Sequence, residues 1–269
     1  MLDAIVLPYN ELIRKCSPNI SMVPVGKITA APIGSLVGSL VGRLLGGSVG
    51  GLVVGLMLSL SSDTNANTKG TRNSATSSVV IRAFPDDSLD HWQEKSFVGN
   101  TQYELYDDSG TTVLKATAIN TASVLYRQDT IDLNSTPWLE WSWKIESIYT
   151  DIDETTKAGD DFPARLYVTA RTGALPWQTI AINYVWSSNQ QKDSVWFNPY
   201  TKKSIMVSVQ GGNTAVGQWV NQRRNVAQDF ERLFNIDVKK LSGYAVMVDG
   251  DNSSQSGTAY FGNIEFVAN

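Results

Sequence analysis

Cysteine is nearly absent: Cys16 is the single one, and the 253 residues after it contain none. A disulfide framework is therefore excluded, and a structural zinc site lacks its usual ligands. Histidine is as scarce, with His91 alone. Ser-His-Asp and Cys-His arrangements need a histidine base beside their nucleophile, so a lone histidine next to Trp92 reads as a structural or surface residue. No glycine-rich phosphate loop leads into a helix. Charge is thin as well, at 18% of residues, below the usual quarter or so. The chain carries a net −4. Residues 1–69 hold five basic and three acidic residues, which leaves 17 basic and 23 acidic in residues 70–269, a net −6. An acidic body of this kind lacks the basic face that displaces counterions from a phosphate backbone, so no nucleic-acid partner is expected.

What is present falls into two parts. From Ile33 to Leu60 the chain is apolar or glycine, broken only by serines and Arg43, and a small polar run follows. A basic residue, an apolar block and then small residues form the layout of a secretory signal, with Ala66 a candidate cleavage position. Gly34, Gly38, Gly42, Gly46 and Gly50 recur every fourth residue; on a helix they form a bare ridge suited to close helix–helix approach. The expectation for 1–69 is thus a signal peptide or a glycine-rich membrane anchor with an upstream extension. A membrane partner enters only through residues 33–60, and only if they are not cleaved. The corresponding location is periplasmic or secreted, or anchored in the inner membrane.

Residues 70–269 are expected to form one β-sandwich domain. Leu139, Trp141, Trp143 and Ile145 alternate with Glu140, Ser142, Lys144 and Glu146, the period-two pattern of a half-buried strand. The same alternation runs through Leu166–Ala170, Ile180–Trp186, Ile205–Val209, Tyr244–Val248 and Tyr260–Phe266, with earlier strands expected at Ser78–Ala83, Tyr103–Tyr106, Val113–Ala118 and Ser123–Arg127. Turn chemistry such as Asp107-Asp108-Ser109-Gly110 separates them. About ten short strands of this kind imply an all-β, two-sheet antiparallel sandwich. One helix stands out: Val226, Phe230, Leu233 and Phe234 form an apolar stripe behind Asn225, a candidate cap with Gln228 three residues on.

With histidine and cysteine excluded, carboxylates carry the remaining chemistry. The stretch 151–161 holds Asp151, Asp153, Glu154, Asp160 and Asp161, and Asp249, Asp251 and Asn252 close a predicted strand. Short Asp/Asn loops suit a hard cation, so Asp249, Asp251 and Asn252 are candidate calcium ligands. The EF-hand pattern itself fails, since Ser254 and Tyr260 stand where glycine and glutamate are required. Asp160, Asp161 and Arg165, together with Trp219, Arg224, Asn225 and Asp229, are candidate ligand-binding residues. Guanidinium–carboxylate pairs beside an aromatic plane suit a neutral, hydroxyl-rich ligand. The rival reading is a buried Asp–Arg network that ties the helix to the sheet.

The strings Lys157-Ala-Gly-Asp-Asp-Phe-Pro-Ala-Arg165, Trp219 through Asp229, Val248-Asp-Gly-Asp-Asn252 and Ala259 through Phe266, with the Trp141-Ser-Trp143-Lys144 strand, resemble the DUF3047 family over roughly residues 80–267. The resemblance implies an exported bacterial protein with a jelly-roll sandwich similar to galactose-binding-like and carbohydrate-binding domains. It supplies no reaction and no catalytic residues. One departure from the family's pattern is Gly250, between the two aspartates. Three functions follow: a binding protein for a carbohydrate-like ligand, with or without calcium; a polysaccharide hydrolase or lyase using Asp161 and Asp249; or an envelope structural protein held by the glycine-rich helix.

Overall fold

The computed structural model describes residues 80–82, 88–175 and 178–268. The leader of residues 1–69 lies outside the described residues, and among those that are described no helix is long and apolar enough to cross a membrane.

In chain order the strands are β1 (Val80–Arg82), β2 (Gln93–Val98), β3 (Gln102–Asp107), β4 (Thr112–Ile119), β5 (Ala122–Arg127), β6 (Ile131–Asp132), β7 (Trp138–Ile145) and β8 (Ala164–Arg171). They continue as β9 (Thr179–Ser187), β10 (Val195–Asn198), β11 (Thr201–Gly211), β12 (Val220–Asn225), β13 (Lys240–Leu241), β14 (Gly243–Asp249) and β15 (Ser256–Val267). One helix, α1 (Val226–Phe234), sits among them. The front sheet has the order β12-β7-β15-β4-β3, with β1 joined to the far end of β15. The back sheet runs β10-β11-β9-β8-β14-β5-β2, and β6 and β13 form a short pair. Pairing is antiparallel except between β9 and β11. The chain reverses twice there, through the β10–β11 hairpin, so β11 enters beside β9 in the same direction.

The expected alternation is what packs the two sheets. Leu139, Trp141, Trp143 and Ile145 are buried, and they meet Leu166, Val168, Ile182, Tyr184, Trp186 and Val246 from the back sheet in one core. Ring pairs bridge the layers: Trp141–Tyr184 at 5.4 Å, Trp143–Trp186 at 6.0 Å and Tyr244–Phe266 at 5.4 Å. Each such side chain contributes about 1.5–3 kcal/mol by leaving water. Strand β9 is buried on both faces. Its outward residue Val185 lies under Phe162, Met206 and Trp196, which form a second apolar cluster on the outside of the back sheet.

The β3–β4 hairpin turns through Ser109 (φ 61°) and Gly110 (φ 88°), the left-handed pair that matches the natural strand twist. Helix α1 begins where expected: the Asn225 side chain accepts from Gln228 N at 3.1 Å, and Val226 and Phe230 are buried. It ends at Asn235 in the left-handed region, whose N–H donates to Glu231 O. The segment that leads into this helix is itself a strand, β12, at the edge of the front sheet.

Candidate functional site

Two loops meet at one end of the back sheet. A 3-10 turn, Lys157–Gly159, delivers Asp160 and Asp161 ahead of β8. The end of β14 delivers Asp249, and the following turn delivers Asp251 and Asn252. Arg165 lies on the outward face of β8, 3% exposed, and joins the two. Its Nε donates to Asp249 Oδ1 at 2.8 Å and its Nη2 donates to Asp249 Oδ2 and to the Asp160 carbonyl. Asp160 Oδ1 stands 3.6 Å from Nη1. The guanidinium carbon also lies 4.3 Å from the centroid of the Phe162 ring, so the cation is clamped between carboxylate and aromatic face.

Asp161 is fully buried and organises the second loop. Its Oδ1 accepts from the backbone N of Asn252 at 3.2 Å and from Nδ2 at 3.1 Å, and its Oδ2 accepts from Ser253 N at 2.6 Å. The loop closes on itself because Gly250 permits it: a Cβ there would collide with the Gln255 carbonyl. The departure at Gly250 is therefore a close backbone approach. One oxygen from each of Asp161, Asp249 and Asp251 lies within 4.8 Å of the others.

The β10–β11 hairpin completes the surround. Asn198 Nδ2 donates to Asp160 Oδ2 at 3.2 Å, and the Tyr200 hydroxyl stands 2.9 Å from Asn252 Oδ1. A cavity of about 80 Å³ opens among Asp160, Arg165, Asn198, Tyr200, Asp251 and Asn252. Burial pushes the Asp160 carboxyl up to about 6 against the pull of Arg165. Burial also raises the Tyr200 hydroxyl to about 12, so it stays a neutral donor. Burial alone would lower the Arg165 guanidinium, but Asp249 beside it holds it cationic. Three buried oxygens of this cluster have no hydrogen bond: Asp160 Oδ1, the Ser253 hydroxyl and the Tyr149 hydroxyl, the last within the field of Asp249 and Asp161.

The other expected residues fall in two further places. Asp229, on α1, accepts from Tyr184 Oη at 2.9 Å, from Arg224 Nε at 2.8 Å and Nη2 at 2.5 Å, and from Arg232 Nη2 at 3.0 Å. Together with the Asn225 cap this network fastens the helix to both sheets. Trp219 lies on the outer face of the front sheet, with its indole N–H donating to Asp108 Oδ2 at 2.7 Å. Within the acidic stretch, Glu154 is fully buried and accepts from Ser188 N at 2.5 Å and from the Ser187 hydroxyl, while Asp151 and Asp153 are exposed. His91 is exposed. Asn198 and Tyr200 carried no local signal in the sequence, because they reach the site only through the β10–β11 hairpin.

No curated protein matches the chain. Among solved structures, the enzymatically active domain of bacteriophage CBA120 tailspike protein 4 is similar over 67% of this chain and 20% of its own length, at 9% identity and TM-score 0.33. The mannan-recognising carbohydrate-binding module TmCBM27 is similar over 71% of this chain and 98% of its own, at 12% identity and TM-score 0.32. The metal-free lectin I-B4 of Griffonia simplicifolia covers 71% and 99%, at 12% and 0.35. Likenesses this distant carry no assignment of a ligand. The family model described as "Protein of unknown function (DUF3047)" matches residues 90–265, which contain every motif of the site, and the protein belongs to that family.

Proposed function

We propose that the protein is an exported, periplasmic or secreted binding protein for a carbohydrate-like ligand, and that calcium held by Asp161, Asp249, Asp251 and Asn252 braces its site. The observation that carries this reading is the charge balance of the cluster. Asp160, Asp161, Asp249 and Asp251 stand around one buried guanidinium. Like charges crowded out of water are costly, and the excess is relieved by protons or by a cation. The donors are all hard oxygens, which suits calcium over softer metals. Asp160 Oδ1 and the Tyr149 hydroxyl are buried oxygens without a protein partner, and a bound cation would satisfy both.

The cavity has room for an ion and a few ligand oxygens but not for a whole sugar ring, given that a water needs about 10–15 Å³. A sugar would therefore present one hydroxyl-bearing edge, with Asn198 and Tyr200 beside it. Asp161 and Asp249 are less suited to act as acid and base of a hydrolase. Both are buried, and their oxygens are committed to backbone amides and to Arg165.

Thermal unfolding of the full chain with calcium chloride, with EDTA and with a panel of monosaccharides and oligosaccharides tests the reading. A ligand at a hundred times its Kd stabilises by about 2.7 kcal/mol. Calcium should raise the melting temperature, EDTA should reverse the rise, and Asp251→Ala should abolish it. A melting temperature indifferent to calcium would leave the cluster a purely structural staple.

A further inference from the structure

The outer face of the front sheet holds a second assembly that the calcium cluster does not use. Residues paired across strands share a face, so Glu140, Ser142 and Lys144 of β7 lie outward with Asn221 and Arg223 of β12 and with Tyr260 and Glu265 of β15. Strand β15 is irregular between Phe261 and Ile264, which places Gly262 and exposed Asn263 beside Ser142. A Cβ at Gly262 would collide with the Ser142 hydroxyl and lie 3.4 Å from the Trp219 ring. The missing side chain leaves a trough with the indole as its wall.

The cations here are already matched. Lys144 Nζ donates to Asp108 Oδ2 at 2.8 Å while lying 5.0 Å from the Trp219 centroid and 4.5 Å from that of Tyr260. Arg223 pairs with Glu140 at 2.8 Å. Trp219 is pinned through its N–H to Asp108 yet remains 38% exposed. Asn221 and Asn263 are exposed. Two depressions, of about 570 and 430 Å³, join through Ser142, Asn221 and Asn263, and each lies within the usual range of ligand clefts, about 300–1,000 Å³. Along β7 the face from Glu140 to Lys144 extends about 13 Å at the usual rise of a strand.

We infer that this trough binds an uncharged polysaccharide chain, with Trp219 stacking on a sugar face and Asn221, Asn263 and Ser142 hydrogen-bonding its hydroxyls. Paired cations give an anionic ligand nothing to select. An immobilised ring face beside amides and a hydroxyl matches the alternating apolar faces and hydroxyl edges of a sugar chain. The trough is open along the sheet, so it accommodates the interior of a chain.

Affinity electrophoresis of the full chain in native gels tests this, with galactomannan, xyloglucan or mixed-linkage β-glucan set against alginate and polygalacturonate. EDTA is present in every gel, which separates the result from the calcium cluster. The expected result is retardation in at least one neutral gel. Trp219→Ala and Asn263→Ala should each weaken it at least tenfold, and Trp219→Phe should keep most of it. Melting temperatures check that the variants are folded, and Asn263→Ala decides if Trp219→Ala is not. No retardation in any neutral gel, retention by the anionic polymers alone, or unchanged retention in both alanine variants would overturn the inference. The calcium reading would stand in each of those cases.

Discussion

Arg165 offers the sharpest test of how the two loops are held. Replacing it with methionine keeps most of the aliphatic stem and removes five N–H donors. The Asp249 carboxylate then loses both of its contacts to the guanidinium, the Asp160 carbonyl loses its donor, and the Asp160 carboxylate loses the counter-charge that stands 3.6 Å away. Every one of these groups is buried. Breaking a buried ion pair from one side costs about 3–5 kcal/mol, whereas replacing both members with apolar groups is often neutral. Arg165→Met should therefore lower the unfolding free energy by about 3–5 kcal/mol. For a body of this size that is a fall of roughly 6–20 °C in melting temperature. The double variant Arg165→Met/Asp249→Leu should recover most of the loss. Denaturant titrations on the four members of the cycle give the coupling directly. Calcium adds a second check, because removing the guanidinium makes the cluster more negative. Added calcium should rescue Arg165→Met more than it stabilises the parent protein. A single variant within about 1 kcal/mol of the parent, or a double variant as weak as the single, would refute the reasoning.

Three other outcomes follow from the same geometry. Burial raises the Glu154 carboxyl above its ordinary value; a raised carboxyl favours folding at low pH and loses that contribution as pH rises through its folded value. Glu154→Gln should flatten the fall in stability on going from about pH 4 upward, and a pH series of denaturant titrations would show an unchanged slope if the reasoning is wrong. Asp229→Ala strands the Tyr184 hydroxyl and Arg224 beneath α1 and should cost about 2–4 kcal/mol, leaving the calcium response intact; a loss below 1 kcal/mol in chemical unfolding would mean the helix is held by Val226 and Phe230 alone. Gly250→Ala forces a Cβ against the Gln255 carbonyl and should cost about 1–3 kcal/mol while weakening any calcium-dependent shift, both read from one melting experiment.

Most of the strands that were legible in the sequence bury a full face. Strands β7, β8, β9, β11 and β14 all contribute to the core, and burial of every second residue is what writes period two into a sequence. Of the strands that were not legible, β2, β10 and β12 lie at sheet edges, and β6 and β13 are only two residues long. An edge strand has one neighbour and less to bury, so Gln93–Val98 and Val220–Asn225 are largely polar and show no apolar rhythm. The antiparallel sandwich was legible from alternation and turns. The parallel β9–β11 pair was not, since it depends on a four-residue strand between them.

That same gap explains how the candidate site residues were grouped. Trp219, Arg224, Asn225 and Asp229 lie close in sequence, just ahead of and within a helix, and that proximity gives no reason to separate them. Strand β12 does, because successive side chains leave opposite faces. Asn221 and Arg223 are paired with Ser142 and Glu140 on the outer face, whereas Arg224 is paired with Leu139 on the inner one and reaches Asp229 there. Trp219, immediately before this strand, goes outward to Asp108 and Lys144. Conversely, Arg165 and Asp249 are 84 residues apart and meet because β8 and β14 are neighbours. Their pairing is a property of sheet order, which local pattern does not encode. Chemistry local in sequence was thus divided between two faces of one sheet, and chemistry distant in sequence was joined by another; in a sandwich, the register of a single edge strand decides which residues can share a ligand.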